Sequence, residues 1–348
     1  MASDASPAVA PPADHGAGRQ TILQRVASLR AWLFLLALLV GFEAWARAAY
    51  GVTFLGNTFN LQSIAIFAVA PLLLATGQTF VIISGGIDLS TGFVMGLAAV
   101  VAALVVGWAN AVLSPPFAVL MGVFAGVLVA GVPGLVNGVL VAFLKVPPFI
   151  GTLGMFGVAR GVAFLLATGT TVPVSNPVLA QLGNGRLWGV PWIVIVTALF
   201  VLLMHYVLSQ TRFGQHNYAI GANAQAARRA GIDIRRHLVR LYVLSSACAG
   251  LAGVLYTARF SAGAAQAGEP LILDSVAAVV IGGASLFGGS GTILGTVAGA
   301  FVIAVIQYGL VFVNVKPFWQ FIAVGVVIII SVLIDQAQRA FAGGRQSE

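Results

Sequence analysis

Ten stretches of the chain are apolar over a length that crosses a bilayer or nearly does: 31–52, 62–84, 91–111, 117–142, 149–168, 188–208, 238–260, 272–287, 290–313 and 317–334. A helix needs roughly 20 apolar residues to traverse about 30 Å of hydrocarbon. With no water there to satisfy the backbone, a helix is the local solution. The pattern predicts an all-α fold, a polytopic membrane bundle of about ten transmembrane helices. Stretch 272–287 is short, and the glycine-rich places near 85 and 285 read either as loops or as breaks at membrane depth. Residues 1–25 carry no apolar run and predict a disordered cytoplasmic tail. Residues 26–340 then form one transmembrane domain, and its longest basic interruption is the polar loop 209–237.

Composition agrees and narrows the class. The chain is 59% hydrophobic and 7% charged, against about 25% charged in soluble domains, so a water-soluble globule is excluded. The net charge of +8 sits between apolar runs, whereas nucleic-acid binding needs a dense basic stripe on a soluble face. Basic residues near segment ends are retained on the cytoplasmic side. With the amino terminus inside, twelve of the 17 basic residues fall in cytoplasmic segments, and Arg47, Arg160, Arg186, Arg259 and Lys316 do not. Both termini are therefore expected in the cytoplasm. The single cysteine, Cys248, allows no intrachain disulfide, and His205, His216 and His237 have no metal spacing; no metal or cofactor is expected.

Loop 209–237 holds the clearest local signal. Asn223 is a good N-cap, Ala224 to Ala230 are strong helix formers carrying Gln225, Ala226, Ala227, Arg228 and Arg229, and Gly231 suits the left-handed residue that ends a helix. About two turns of helix outside the bilayer follow, too short to be stable without a partner. An ordinary retained basic loop is the alternative these residues leave open. A second signal is an echo, in which Gly85, Gly86, Leu89 and Gly92 recur 197 residues later as Gly282, Gly283, Leu286 and Gly289. Matching glycine interruptions suggest duplicated halves, a transporter habit, although 42 glycines also make chance matches easy.

Polar residues within the apolar stretches are the candidates for a pathway. Asp88 follows a glycine pair and is either an acid facing a passage or part of a cap, in which Asp88 or Ser90 starts the next helix at the cytoplasmic surface. Arg160 falls near the middle of 149–168 and needs a partner, for which Asp88 and Asp274 are the acids at hand. Gln78, Asn137 and Thr152 could offer hydrogen bonds to a solute or tie helices together. Glu43 and Arg47 have the spacing of a helix-surface ion pair. Gly122, Gly126, Gly131, Gly295 and Gly299 have the small-residue spacing that lets helices approach.

The run from Gln225 to Gly231 resembles the Glu-Ala-Ala-x-x-x-Gly loop of ABC importer permeases, with Gln225 in place of the glutamate. Three further runs narrow the resemblance to permeases of the ribose, xylose, arabinose and galactose type: Ser84-Gly85-Gly86-Ile87-Asp88-Leu89-Ser90; Lys145 to Gly154 followed by Ala159-Arg160-Gly161; and Leu273 to Gly283. The resemblance covers about 60–335. It implies a transmembrane subunit in the bacterial inner membrane that moves a monosaccharide or related polyol. It also implies a separate ABC ATPase gripping Asn223, Gln225, Ala226, Ala227, Arg228, Arg229 and Gly231, a second permease subunit, and a periplasmic sugar-binding protein. Pathway or gating residues would be Gly85, Gly86, Asp88, Asn137, Thr152, Arg160, Asp274, Gly282 and Gly283. The two lysines, Lys145 and Lys316, follow Leu144 and Val315, so the chain lacks the Gly-Lys-Ser/Thr of a phosphate-binding loop and is not expected to be an enzyme. An ion-coupled transporter would need a midplane acid cluster, for which Asp88 and Asp274 are thin support, and an intramembrane enzyme would need a catalytic constellation.

Overall fold

A computed structural model describes residues 17–316 and 318–343. In chain order the elements are α1 (Ala17–Tyr50), α2 (Thr58–Ile83), α3 (Thr91–Ala109), α4 (Pro115–Ala142), α5 (Pro148–Leu166), β1 (Val172–Pro173), α6 (Pro177–Asn184), β2 (Arg186–Leu187), β3 (Val190–Pro191), α7 (Trp192–Gln210), α8 (Arg212–Ala222), α9 (Ala224–Arg229), α10 (Ile234–Phe260), β4 (Ala262–Gly263), α11 (Leu271–Ile281), α12 (Ile293–Phe312) and α13 (Phe318–Gly343). The first helix begins at Ala17, within the stretch expected to be a tail. Residues 1–16 of that expectation lie outside the described residues.

Among the described residues eight helices are long and apolar enough to cross a membrane, and two shorter apolar helices, Leu271–Ile281 and Phe318–Val327, stand where the eighth and tenth stretches were expected. Local chemistry sets many boundaries. Asn57 Oδ1 accepts from Phe59 N at the start of α2, Asn176 Oδ1 accepts from Val178 N and Leu179 N ahead of Pro177 in α6, and Thr292 Oγ1 accepts from Gly295 N at the start of α12. Prolines open α4 and α5, where the missing N–H costs nothing.

Helices α2, α3, α10 and α12 form the centre, and α1, α5 and α7 leave most of their apolar surface outward. Exposed Leu, Phe and Val on these outer helices are what a lipid solvent requires. Small residues set the tightest crossings. A Cβ on Gly134 would lie 2.6 Å from the Tyr242 carbonyl, and one on Gly138 2.7 Å from Val239 Cα, so α4 lies backbone-to-backbone on α10. Gly122 and Gly126 likewise face α3, but Gly131 has open space around it and takes no part in this contact.

The stretch expected at 272–287 does not form one helix long enough to cross a membrane by itself. After α10 ends at Ser261, β4 pairs antiparallel with β1, Val172 opposite Gly263, and the chain then doubles back along α3. A Cβ on Gly96 would sit 2.7 Å from the Ala265 carbonyl carbon, and one on Gly92 2.8 Å from Ile272 Cδ1. In this irregular return Gly263, Ala264, Ala265 and Gly268 are buried against the bundle, whereas Gln266, Glu269 and Pro270 are exposed. Helix α11 has only 11 residues, about 16 Å at 1.5 Å per residue, before it breaks at Gly282 and Gly283.

Candidate functional site

The most elaborate junction lies where three segments converge: the end of α2, the turn between α11 and α12, and α8. Helix α2 stops in an αL turn, with Gly85 at φ +82° and Gly86 N donating to Val81 O at 3.0 Å. The α11–α12 turn carries Gly283, Gly288 and Gly289 at φ +90°, +88° and +79°, backbone that other residues resist. These two glycine turns touch. Gly289 N donates to Ile83 O at 2.8 Å, and a Cβ on Gly288 would be 3.0 Å from Gly85 N.

Helix α8 is stitched to both turns. Asn217 Nδ2 donates to Phe80 O at 2.9 Å, and the Tyr218 hydroxyl donates to Gly291 O at 2.7 Å. Gly221 closes the contact, because a Cβ there would be 2.5 Å from Gly289 N and nearer still to Ile83 O. The sequence reading missed α8; its signal was the polar and aromatic spacing of Asn217, Tyr218 and Gly221 within what read as loop.

Helix α9 projects from this base. Asn223 Oδ1 accepts from Ala226 N at 3.0 Å, and Gly231 takes φ +84° while its N–H closes on Arg228 O at 3.0 Å, as Asn223 and Gly231 predict. Ala227 is 4% exposed and anchors the helix, whereas Gln225, Arg228 and Arg229 are exposed beside an open hollow. The predicted residues Asn223, Gln225, Ala226, Ala227, Arg228, Arg229 and Gly231 thus share one small protrusion. It is joined through α8 to both turns.

Asp88 sits just behind, fully buried. Its Oδ1 accepts from Ser90 N (3.1 Å), Ser90 Oγ (2.6 Å) and Asn137 Nδ2 (3.4 Å), and its Oδ2 accepts from Ser245 Oγ (3.1 Å). Gln78 bonds both backbone groups of Asp88 through its side-chain amide. Asp88 therefore pins α2, α3, α4 and α10 together. Its side chain is fully buried, and of the two expected caps, Asp88 and Ser90, it is Ser90 that holds the N-cap position of α3. Burial pushes its carboxyl above the ordinary aspartate value, against the pull of those donors.

The expected Arg160 pairing with an acid does not form. Asp274 accepts from Gln307 Nε2 at 2.7 Å, tying α11 to α12. Arg160 instead lies exposed on α5 with its guanidinium over Phe93 and Phe164, 5.3 and 6.0 Å from the ring centroids. Two aromatic faces supply what a carboxylate was expected to give. Thr152 bonds Pro148 O within its own helix, and Gly282 meets Gly295 where α11 crosses α12. Glu43 pairs with Arg47 as expected and also accepts from Phe54 N and Leu55 N, both at 2.8 Å. The echoed glycines correspond loosely. Gly85 and Gly283 both take αL turns after helices, one residue out of the 197 register, but Gly92 is helical and Gly289 lies in a turn.

Comparison with known proteins bears on what this assembly is. Residues 60–332 match the family described as branched-chain amino acid transport system / permease component. A ribose import permease protein of Escherichia coli is 36% identical over 330 residues, covering 92% of this chain and 99% of that protein. A fructose import permease protein of Rhizobium meliloti is 35% identical over 309 residues (84% and 83%), and a galactofuranose transporter permease protein of Escherichia coli is 40% identical over 287 residues (82% of each). Apolar helices in all ten expected places, a fused pair of glycine turns and these similarities lead to one assignment: the chain belongs to this permease-component family and is a multi-pass membrane transport subunit.

Proposed function

We propose that this chain is the translocation subunit of an ABC importer for a monosaccharide or related polyol, driven by an ATPase on a separate polypeptide. The observation that carries the reading is α9: an exposed, doubly capped helix whose base is hydrogen-bonded through α8 to both glycine turns. An ATPase docked on Gln225, Arg228 and Arg229 would push on the two turns at once. Gly85, Gly86, Gly282 and Gly283 are then the gating hinges, with Asp88 and Asn137 as the fixed strut behind them. Arg160, exposed on α5, is the pathway candidate among the expected residues.

A second permease copy or paralogue completes the passage, and a periplasmic binding protein delivers solute. Both termini and α9 face the cytoplasm of a bacterial inner membrane. The sugar class is supported by relatives named for ribose, fructose and galactofuranose. Moving a sugar means stripping hydroxyls of water, each at a cost of a few kcal/mol unless replaced, so the passage must offer hydrogen bonds.

The test is reconstitution in liposomes with candidate ATPase and binding protein. Uptake of labelled monosaccharide should require ATP and both partners. Uptake by the permease alone on a proton or sodium gradient would overturn the proposal.

A further inference from the structure

Away from α8 and α9, a cleft opens between α2, α7 and α10. Its larger hollow, about 350 Å³, is lined mostly by apolar groups including Ile66, Ala70, Ile193 and Leu255. Toward the opposite end of the bundle a smaller, more enclosed polar hollow of about 90 Å³, bordered by Gln62, Ser63, Asn184 and Arg186, adjoins it and shares Ile66 and Arg259 as walls. Two adjoining hollows thus set an apolar groove beside a cationic lip.

The lip has unmet needs. Arg259 donates to Asn184 Oδ1 at 2.6 Å, but among the described residues neither Arg259 nor Arg186 has an acidic partner. Gln62 Nε2 donates to Gly189 O at 2.7 Å, which fixes the amide orientation and leaves Oε1 buried with no hydrogen-bond donor. Beside them, the β2–β3 hairpin holds Trp188 at its tip, 95% exposed, in a turn with φ +50° at Trp188 and +84° at Gly189. Tryptophan is enriched at membrane–water interfaces, where the neighbouring arginines would meet lipid headgroups.

We propose that this cleft is a binding site for one anionic phospholipid of that leaflet. Its phosphate sits between the Arg186 and Arg259 guanidinia, and one acyl chain lies in the cleft between α2, α7 and α10. Guanidinium suits phosphate by charge and forked geometry. A glycerol headgroup also brings hydroxyl donors for Gln62 Oε1, which a choline headgroup does not. Arg186 and Arg259 are two of the five basic residues on the side expected to be poor in them, and this site accounts for both.

The test is native mass spectrometry on the full chain in mild detergent, titrated with phosphatidylglycerol or phosphatidylcholine of identical acyl chains. The wild type should retain one phosphatidylglycerol at least tenfold more than phosphatidylcholine. Arg186→Gln with Arg259→Gln should bring the two lipids level; exposed Arg186→Gln alone, which leaves the Arg259–Asn184 bond intact, should lower retention at least threefold. Ala70→Trp, filling the cleft, should weaken retention of both lipids, and Lys316→Gln should change nothing. Equal retention of the two lipids by the wild type, undiminished retention in the arginine variants, or displacement by millimolar glycerol phosphate would each overturn the proposal, the last by showing a phosphate site without the lipid.

Discussion

Replacing Gly221 with alanine isolates the link between α8 and the glycine turns. A Cβ at that position would be 2.5 Å from Gly289 N; ordinary contact begins near 3.4 Å, so one side must retreat by at least 0.9 Å (3.4 less 2.5). Taken along the Asn217–Phe80 hydrogen bond, that shift stretches it from 2.9 Å to 3.8 Å and breaks it. Over-packing of this kind costs about 1–3 kcal/mol, more than the gain of up to about 1 kcal/mol from putting alanine in a helix. A coupling weakened by about 1–3 kcal/mol is a loss of roughly 5- to 150-fold. The assay is uptake per ATP hydrolysed in liposomes holding the full importer. Binding of the ATPase should persist, since α9 is untouched, while hydrolysis becomes uncoupled from uptake. Gly131→Ala, at a glycine with open space around it, is the control and should behave as wild type. If Gly221→Ala folds and its uptake per ATP is unchanged, α8 does not carry the motion.

Three further outcomes follow from the same contacts. Asp88→Ala orphans the Ser90 and Ser245 donors and should cost about 1–3 kcal/mol per buried group in thermal unfolding of the solubilised protein, whereas Asp88→Asn, neutral where burial disfavours charge, should cost less. Gly231→Pro forces a φ of +84° onto a residue locked near −65°, and co-purification should show ATPase association lost while membrane insertion persists. Arg160→Ala removes only exposed contacts with Phe93 and Phe164 and should destabilise by no more than about 1 kcal/mol, and the swap Arg160→Asp with Asp274→Arg should restore nothing, because the two do not meet.

Features that depend on a few consecutive residues could be read from sequence. Asn223 and Gly231 bracket α9 because a cap and an αL glycine act locally, and each apolar run announces its own helix. Contacts between distant segments left weaker traces. Nothing in 272–287 says that the chain first returns along α3 and that α11 has only 11 residues. Arg160 was assigned an acid because a mid-segment charge needs compensation, yet Phe93 and Phe164, which flank it in space, carry no charge pattern to find. Asp88 was legible as notable but not as a strut, since Asn137 and Ser245 lie 49 and 157 residues away. Helix α8 left only half a signal, because the donors Asn217 and Tyr218 stand in the sequence while their acceptors are the backbone carbonyls of Phe80 and Gly291.

The central claim is that force from an ATPase enters through an exposed α9 on the cytoplasmic face. The one cysteine, Cys248, is fully buried, so a cysteine introduced by Arg229→Cys can be read against a silent background. A membrane-impermeant maleimide should label it in inside-out vesicles and not in right-side-out ones, with the ATPase subunit protecting it at least tenfold. Labelling from the outer face, or no protection by the ATPase, would contradict the claim.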